Sequence, residues 1–434
     1  MKFINLYCML EKEIINVLFY VKSGISHLYL RGGMKMELHN GKLYWPETFH
    51  NISNYPKLNG VITCDVLIVG GGMSGALCAH TLSKLPIKTV LVEKETVGSG
   101  SSAANTGLLQ YANDKMLHEF IEKLGEEKAV RFYKLCLKAV DELQKIANEL
   151  AEPVDFVRRD SLYYASSEED IPKLQEEFDA LKKHQFAVDF LDKNEIKKVY
   201  SFEKPAALLT KGDAEVNPLK FIHSMLKNAH QKGVEIYEQT DLEEAGSDEE
   251  FMYFQSENGK IAAKKVIYST GYESIPFAKK LGGKVNRTYA IATTPLASFP
   301  NWMENCLIWE TKRPYFYMRT TKDGRIIAGG LDENKNEVPS STYTIERYGE
   351  LLLQKIKEHF PEYQIDIAYS WGATFGESVD GLPFIGQLPE NKKVFYCLGY
   401  GGNGTVYSMI GAQIIKDLIL YQSNPDAEIV RLDR

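Results

Sequence analysis

The stretch Val66-Leu67-Ile68-Val69-Gly70-Gly71-Gly72-Met73-Ser74-Gly75, together with Glu93 beyond it, constrains this chain more than any other feature. The apolar run reads as a strand buried on both faces of a parallel sheet. Gly70 permits a tight turn out of that strand, Gly72 lets main-chain amides approach a pyrophosphate, and Gly75 lets the next helix lie close against the strand. That helix, expected over 76–85, offers unpaired amides and its positive dipole end to phosphate oxygens, with Met73 and Ser74 at its entry. A second apolar strand over 89–92 ends at Glu93, whose carboxylate can accept from ribose hydroxyls, with Lys94 beside it. A glycine triplet alone is weak evidence. Strand, glycines, helix, second strand and acidic tip, in that order within about thirty residues, form a dinucleotide fingerprint.

A chain of 434 residues is long enough for two domains. Its net charge of -7 and the lack of a basic run with interleaved aromatics exclude general nucleic-acid binding. The six cysteines are scattered, with neither a C-x-x-C pair nor metal-ligand spacing. They read as buried thiols in a reducing cytoplasm, and no metal site is expected. The apolar patch at 14–20 is too short to span a bilayer, and it lacks the basic leader and cleavage site of a signal peptide. Residues 1–35 are expected to be a non-native or disordered extension. Arg31-Gly32-Gly33 can be encoded by a purine-rich stretch like a ribosome-binding site, which places the start at Met36 or Met34.

Further along, 98–107 is small, polar and non-periodic, a loop suited to lie against a ligand. Helical periodicity runs through 113–152, a strand is expected over 156–166 and a charged helix over 168–184. A helix begins near Asn217-Pro218 and is capped by Gly233. A hairpin joins 251–255 to 261–268, and that second strand ends in Ser269-Thr270-Gly271-Tyr272. Strands fill 287–330, a helix spans 341–360 and another strand 365–374. A final strand over 394–397 leads through Gly399-Tyr400-Gly401-Gly402-Asn403-Gly404 into a helix over 405–420. Glycine turns after apolar runs thus occur at Gly70, Gly271 and Gly399. Turns at the carboxyl ends of strands in one sheet converge on one crevice, so a long cofactor reaching all three is the economical reading.

With these motifs in place the chain resembles the FAD-dependent D-amino-acid oxidase superfamily, within it the glycine, sarcosine and gamma-glutamylputrescine oxidase group. The resemblance covers about 45–420 and includes Tyr317-Met318-Arg319, Asp323-Gly324-Arg325, Trp371-Gly372 and Asp380-Gly381-Leu382-Pro383-Phe384-Ile385-Gly386. It implies an α/β fold: a discontinuous Rossmann-like FAD-binding domain over 60–155, 215–280 and 375–420, and a mainly antiparallel β-sheet substrate domain with helices over 156–214 and 281–374. The implied cofactor residues are Gly70, Gly72, Met73, Ser74, Gly75, Glu93, Lys94, Ser101, Ser102, Asn105, Thr106, Gly107, Thr270, Gly271, Gly386, Gly402, Asn403, Gly404 and Thr405. Asn403 would also serve as helix N-cap.

The implied reaction is hydride transfer from the amine-bearing carbon of a small amine or amino acid to the flavin. It gives an imine that hydrolyses, with dioxygen or a respiratory or quinone acceptor taking the electrons. The rivals are oxidation of a 2-hydroxy acid or a related alcohol on the same scaffold, and a flavin redox sensor. Relatives that act on amino acids bind the carboxylate with an arginine, whose fork suits two-point recognition. Here the two usual positions are Phe375 and Ala104. Arg319, with Tyr317, is the first remaining candidate for a substrate anchor, ahead of Arg287 and Lys115, and a structural role is the alternative for each of them. Phe316 replaces the cysteine that tethers flavin in sarcosine-oxidase-like members, so the FAD is expected to be non-covalent. Tyr289, Tyr315, Phe316, Tyr317, Trp371, Phe375 and Tyr400 are candidates for the walls of a substrate site.

Overall fold

Strand Gly60–Val69 occupies the middle of the first of two sheets. Val66, Leu67 and Ile68 are at most 1% exposed, so the apolar run has no face for water, as a helix-covered parallel strand requires. Thr89–Val92 and Gly259–Tyr268 flank it in parallel, and Glu235–Tyr237 and Asn391–Leu398 extend the sheet in parallel on either side. Phe384–Leu388 closes one edge antiparallel. Met252–Gln255 pairs with Gly259–Tyr268 as the expected hairpin. The computed structural model describes residues 37–50, 52–274 and 282–434; the expectation for residues 1–35 lies outside the described residues.

Helix Met73–Leu82 starts three residues earlier than expected, because Gly72 holds extended backbone (φ -79, ψ -164) and hands the chain straight into the helix. Nine of its ten residues are buried, since it is wedged among the sheet and the helices Pro218–Gln231 and Gly404–Tyr421. Gly75 allows this closeness: a Cβ there would lie 1.9 Å from the Gly70 carbonyl oxygen.

The second sheet is mainly antiparallel. Its described order is His39–Lys42, Ile367–Ser378, Gly283–Thr293, Ile326–Glu333, Phe316–Thr320, Leu307–Glu310, Val157–Tyr164, Ala206–Glu215 and Leu108–Leu109. Val188–Asp192 also pairs with Ala206–Glu215, and helix Thr342–His359 packs on one side. Three details depart from the sequence reading. The helical run through 113–152 is broken at Gly125 (φ +81) into Leu117–Leu124 and Glu126–Glu149. Ile367–Ser378 continues past residue 375, because its ladder to Gly283–Thr293 runs on to the pair Gly283 and Ser378. Ala206–Glu215 and its partner Val188–Asp192 carry no simple alternation and were not expected as strands.

Candidate functional site

The carboxyl ends of the parallel strands open into a cleft of about 2360 Å³, several times the roughly 300–1,000 Å³ of an ordinary small-molecule pocket. It runs between the two sheets. Gly70, Gly72, Met73, Ser74, Glu93, Lys94, Ser101, Ser102, Asn105, Thr106, Thr270, Gly271, Gly402, Asn403, Gly404, Thr405 and Tyr317 all line it. The turns at Gly70, Gly271 and Gly399 therefore do converge.

At one end the walls are mainly backbone. The amide of Gly71 donates to Glu93 Oε2 at 2.7 Å and that of Glu95 to Oε1 at 2.9 Å, so the carboxylate is pinned beside the glycine turn. Ser102 Oγ accepts from the Met73 amide at 3.1 Å and thereby meets the first unpaired donors of helix Met73–Leu82. A Cβ on Gly271 would meet only Ser101 Oγ, at 3.9 Å, so that turn is open to the cleft. Ser74 and Ser408 join the first and last helices by their hydroxyls at 2.7 Å. Two buried cleft-lining hydroxyls, on Ser269 and Tyr400, have no protein partner. Unpaired polar atoms, a glycine-walled trough and a ten-residue helix whose N-cap, Gly72, has no side chain to cap it fit a long phosphate-bearing cofactor such as FAD.

The loop between the two ends is held by three side chains from elsewhere. Trp371 Nε1 donates to the Ala104 carbonyl at 3.0 Å, Trp45 Nε1 to that of Asn105 at 2.5 Å, and Arg319 Nε to that of Thr106 at 2.7 Å. This corrects the expectation for Arg319. It is 2% exposed and does not line the cleft. Its remaining donors serve the carbonyls of Val216 and Thr320, and Glu215 neutralises it at 3.6 Å. Arg319 braces the loop and has no donor fork left for a substrate. Arg287 is spent on the carbonyls of Glu337 and Val338 and on Glu333, and Lys115 on the carbonyl of Val379.

Three further expected cofactor residues lie off the cleft lining. Gly75 is used in helix packing. A Cβ on Gly107 would strike the Val216 carbonyl at 2.3 Å and the Arg319 guanidinium at 2.5 Å, so this glycine makes room for the brace. Gly386 sits in the edge strand opposite Tyr396. Asn403 stands at the N-cap position of Gly404–Tyr421 without capping it; its amide donates across to the carbonyl of Ala112 at 2.6 Å.

At the other end side chains dominate. Strand alternation sends Phe316 into the second core, 0% exposed, and its neighbours Tyr315 and Tyr317 into the cleft. The Tyr317 hydroxyl accepts from Thr106 Oγ1 at 3.2 Å. Phe375 and Tyr400 also line the cleft, whereas Tyr289 stacks on Tyr348 at 3.8 Å and Trp371 is buried beneath the braced loop. Ala104 and Phe375, at the two usual arginine positions, face the cleft as apolar walls. The sequence reading missed Gln110, Asp114, Thr288 and Trp309, all of which line this end. The Asp114 carboxylate accepts from the Gly402 amide. Burial pushes its carboxyl up, with Arg313 and that amide pulling the other way. Only the polar pair Asn113-Asp114 at the break before Leu117–Leu124 signalled it.

Among the described residues no helix is long and apolar enough to cross a membrane, and no cluster is suited to hold a metal ion. A model of the family "FAD dependent oxidoreductase" matches residues 65–418. Glycine oxidase of Bacillus subtilis (strain 168) is 25% identical over 382 residues, covering 85% of this chain and 97% of its own. Gamma-glutamylputrescine oxidoreductase of Escherichia coli (strain K12) is 22% identical over 392 residues, covering 87% and 88%. The crystal structure of glycine oxidase from Geobacillus kaustophilus superposes with a TM-score of 0.73 at 21% identity, covering 86% of this chain and 99% of that one.

Proposed function

Because the chain belongs to the FAD dependent oxidoreductase family, we propose that it holds FAD non-covalently along this cleft and oxidises a small amine or amino acid at the carbon bearing nitrogen. One observation carries the reading: a single cavity joins the glycine trough at Gly70 and Gly72 to a pocket walled by Tyr315, Tyr317 and Trp309. The trough has the donors and the absence of side chains that a dinucleotide needs. The pocket has room and aromatic walls for a small organic substrate. The relatives named glycine oxidase and gamma-glutamylputrescine oxidoreductase support nitrogen-bearing donors over alcohols. No described cysteine lines the cleft, which supports a cofactor bound without a thioether.

When bound, FAD would supply a two-electron acceptor for a hydride from the nitrogen-bearing carbon, leaving an imine for water to hydrolyse. The work left to the protein is orientation and exclusion of water. The braced loop 104–106 and Tyr317 fix one wall of the site. The amides of Gly402 and Gly404 lie at the N-terminus of Gly404–Tyr421, where the helix dipole favours negative charge. The acceptor that would take the electrons from FAD is dioxygen or a respiratory or quinone acceptor. The test is anaerobic addition of amines, amino acids and hydroxy acids to the yellow protein. Bleaching by a nitrogen donor is expected; bleaching by a hydroxy acid alone overturns the amine reading, and no bleaching by any of them overturns oxidation altogether.

A further inference from the structure

The cleft's lining is chemically one-sided. Among its described residues ten acidic side chains face two basic ones, His39 and Lys94. Lys94 follows Glu93 at the glycine end, and His39 Nε2 contacts the carbonyl of Ser99 at 2.9 Å. No described arginine lines the cavity. Arg313, whose charge acts on Asp114, lies on the Tyr315 ring at 4.6 Å and donates to the carbonyls of Asp114 and Glu310. A substrate carboxylate in this pocket would be desolvated with no basic side chain in the wall at this end to meet it, the charge of Arg313 being already set against Asp114, which is unfavourable.

The opposite charge is provided for. Asp114 is half-buried in the lining, between the Gly402 amide and the Tyr315 and Tyr317 side chains, whose ionisation its charge opposes. Trp309 lines the same end, 7% exposed and stacked on Tyr163 at 3.9 Å, and its indole N–H has no protein partner. Behind the wall Asp332 is raised to about 7, by burial first and then by Asp114, and its Oδ1 is buried without a partner. Glu377 is raised by the same two causes in the same order. A carboxylate ringed by aromatic faces attracts an ammonium both by charge and by the ring quadrupoles.

Resting on the proposed FAD-dependent oxidation of a nitrogen donor, we propose that the substrate is a cationic amine without a carboxylate, and that Asp114 is the residue that binds its ammonium group and takes the proton that the nitrogen gives up before the hydride leaves its carbon. Asp114 acts here as a specificity determinant: it attracts the amine and repels the carboxylate of an amino acid.

The experiment uses the FAD-loaded protein and two matched pairs, ethylamine against alanine and phenethylamine against phenylalanine, with anaerobic bleaching as the readout. It also uses tetramethylammonium and acetate as unreactive probes, followed by the shift of the flavin spectrum on binding. The amine of at least one pair should bleach the flavin at a concentration roughly thirty-fold or more below its amino acid, the discrimination of a well-formed charge contact. Tetramethylammonium should shift the spectrum and acetate should not. D114N should weaken both cation effects by roughly thirty-fold while flavin content stays the same, and D114E should restore them in part. The spectral probes test the charge preference on the wild-type protein, so they stand even where D114N does not fold. An amino acid preferred over its amine, or acetate binding more tightly than tetramethylammonium, overturns the proposal while leaving amine-carbon oxidation intact. Cation binding with no bleaching by any compound instead overturns the oxidation and leaves the ammonium site standing.

Discussion

The two ends of the cleft are built by different means. Around Gly70, Gly72 and Gly271 the walls are main chain, and what they offer is amides, a helix terminus and absent side chains. Around Tyr315, Tyr317, Trp309 and Asp114 the walls are side chains gathered from three separate parts of the chain. A backbone site tolerates change in everything except its glycines. A side-chain site is set by a few individual groups, and replacing one of them changes what binds. The first end is therefore suited to a constant cofactor, and the second to a substrate that differs between members of one family.

The sharpest way to break the backbone end is Gly75→Ala. The added Cβ would lie 1.9 Å from the Gly70 carbonyl oxygen, and neither the buried helix nor the buried strand can yield in a close-packed interior. The expected outcome is purified protein without stoichiometric FAD, measured by flavin absorbance against protein.

Next in size is Arg319→Met, which removes the brace between the two ends and leaves Glu215, 2% exposed, without that counter-charge. Glu215 keeps Arg159 at 2.9 Å, so the loss stays below that of a fully broken buried ion pair, about 3–5 kcal/mol. Three carbonyls lose their donor as well, and the melting temperature should fall by several degrees. In whatever enzyme survives, kcat should drop more than the substrate's affinity. A KM effect confined to carboxylate-bearing substrates would restore Arg319 as an anchor.

A smaller effect belongs to Asp213, fully buried beneath the substrate end. Its Oδ1 accepts from the Tyr111 amide at 2.8 Å and its Oδ2 has no partner. Burial raises its carboxyl to about 7. The unfolded chain loses this proton near pH 4 while the folded chain keeps it to about 7, so this group makes stability fall as pH rises between those values. Asp213→Asn should gain on the wild type across that window, by up to about 4 kcal/mol at its upper end, as read from denaturant midpoints at several pH values. A constant difference would contradict a buried neutral carboxyl.

The smallest change, Tyr317→Phe, touches the side-chain end alone. It removes one hydroxyl contact with Thr106, about 1 kcal/mol. Flavin content should not change, and kcat/KM should fall by up to about tenfold.

The same contrast explains what was legible in the sequence. The trough was readable at Gly70, Gly72 and Glu93 because the requirement is local: a strand, a turn and a helix adjacent in the chain. Gly271 and Gly399 were readable because each follows an apolar strand as Gly70 does. Arg319 was misread because its partners, Thr106, Val216 and Glu215, are more than 100 residues away, and Glu215 ends a strand that the sequence pattern did not disclose. Asp114 and Trp309 went unseen for the same reason. Neither belongs to a periodic motif, and only the meeting of the two sheets makes them neighbours.

One cleft is proposed to hold FAD at its backbone end and to present a nitrogen-bearing carbon to it at the side-chain end. This is tested most directly by rapid anaerobic mixing of the yellow protein with an amine that bleaches it, compared with the same amine deuterated at the carbon bearing nitrogen. Bleaching that slows on deuteration is the predicted result. Bleaching at an unchanged rate under conditions where chemistry limits it, or bleaching without formation of a carbonyl product and of ammonia (from a secondary amine, the smaller amine), would contradict this reading.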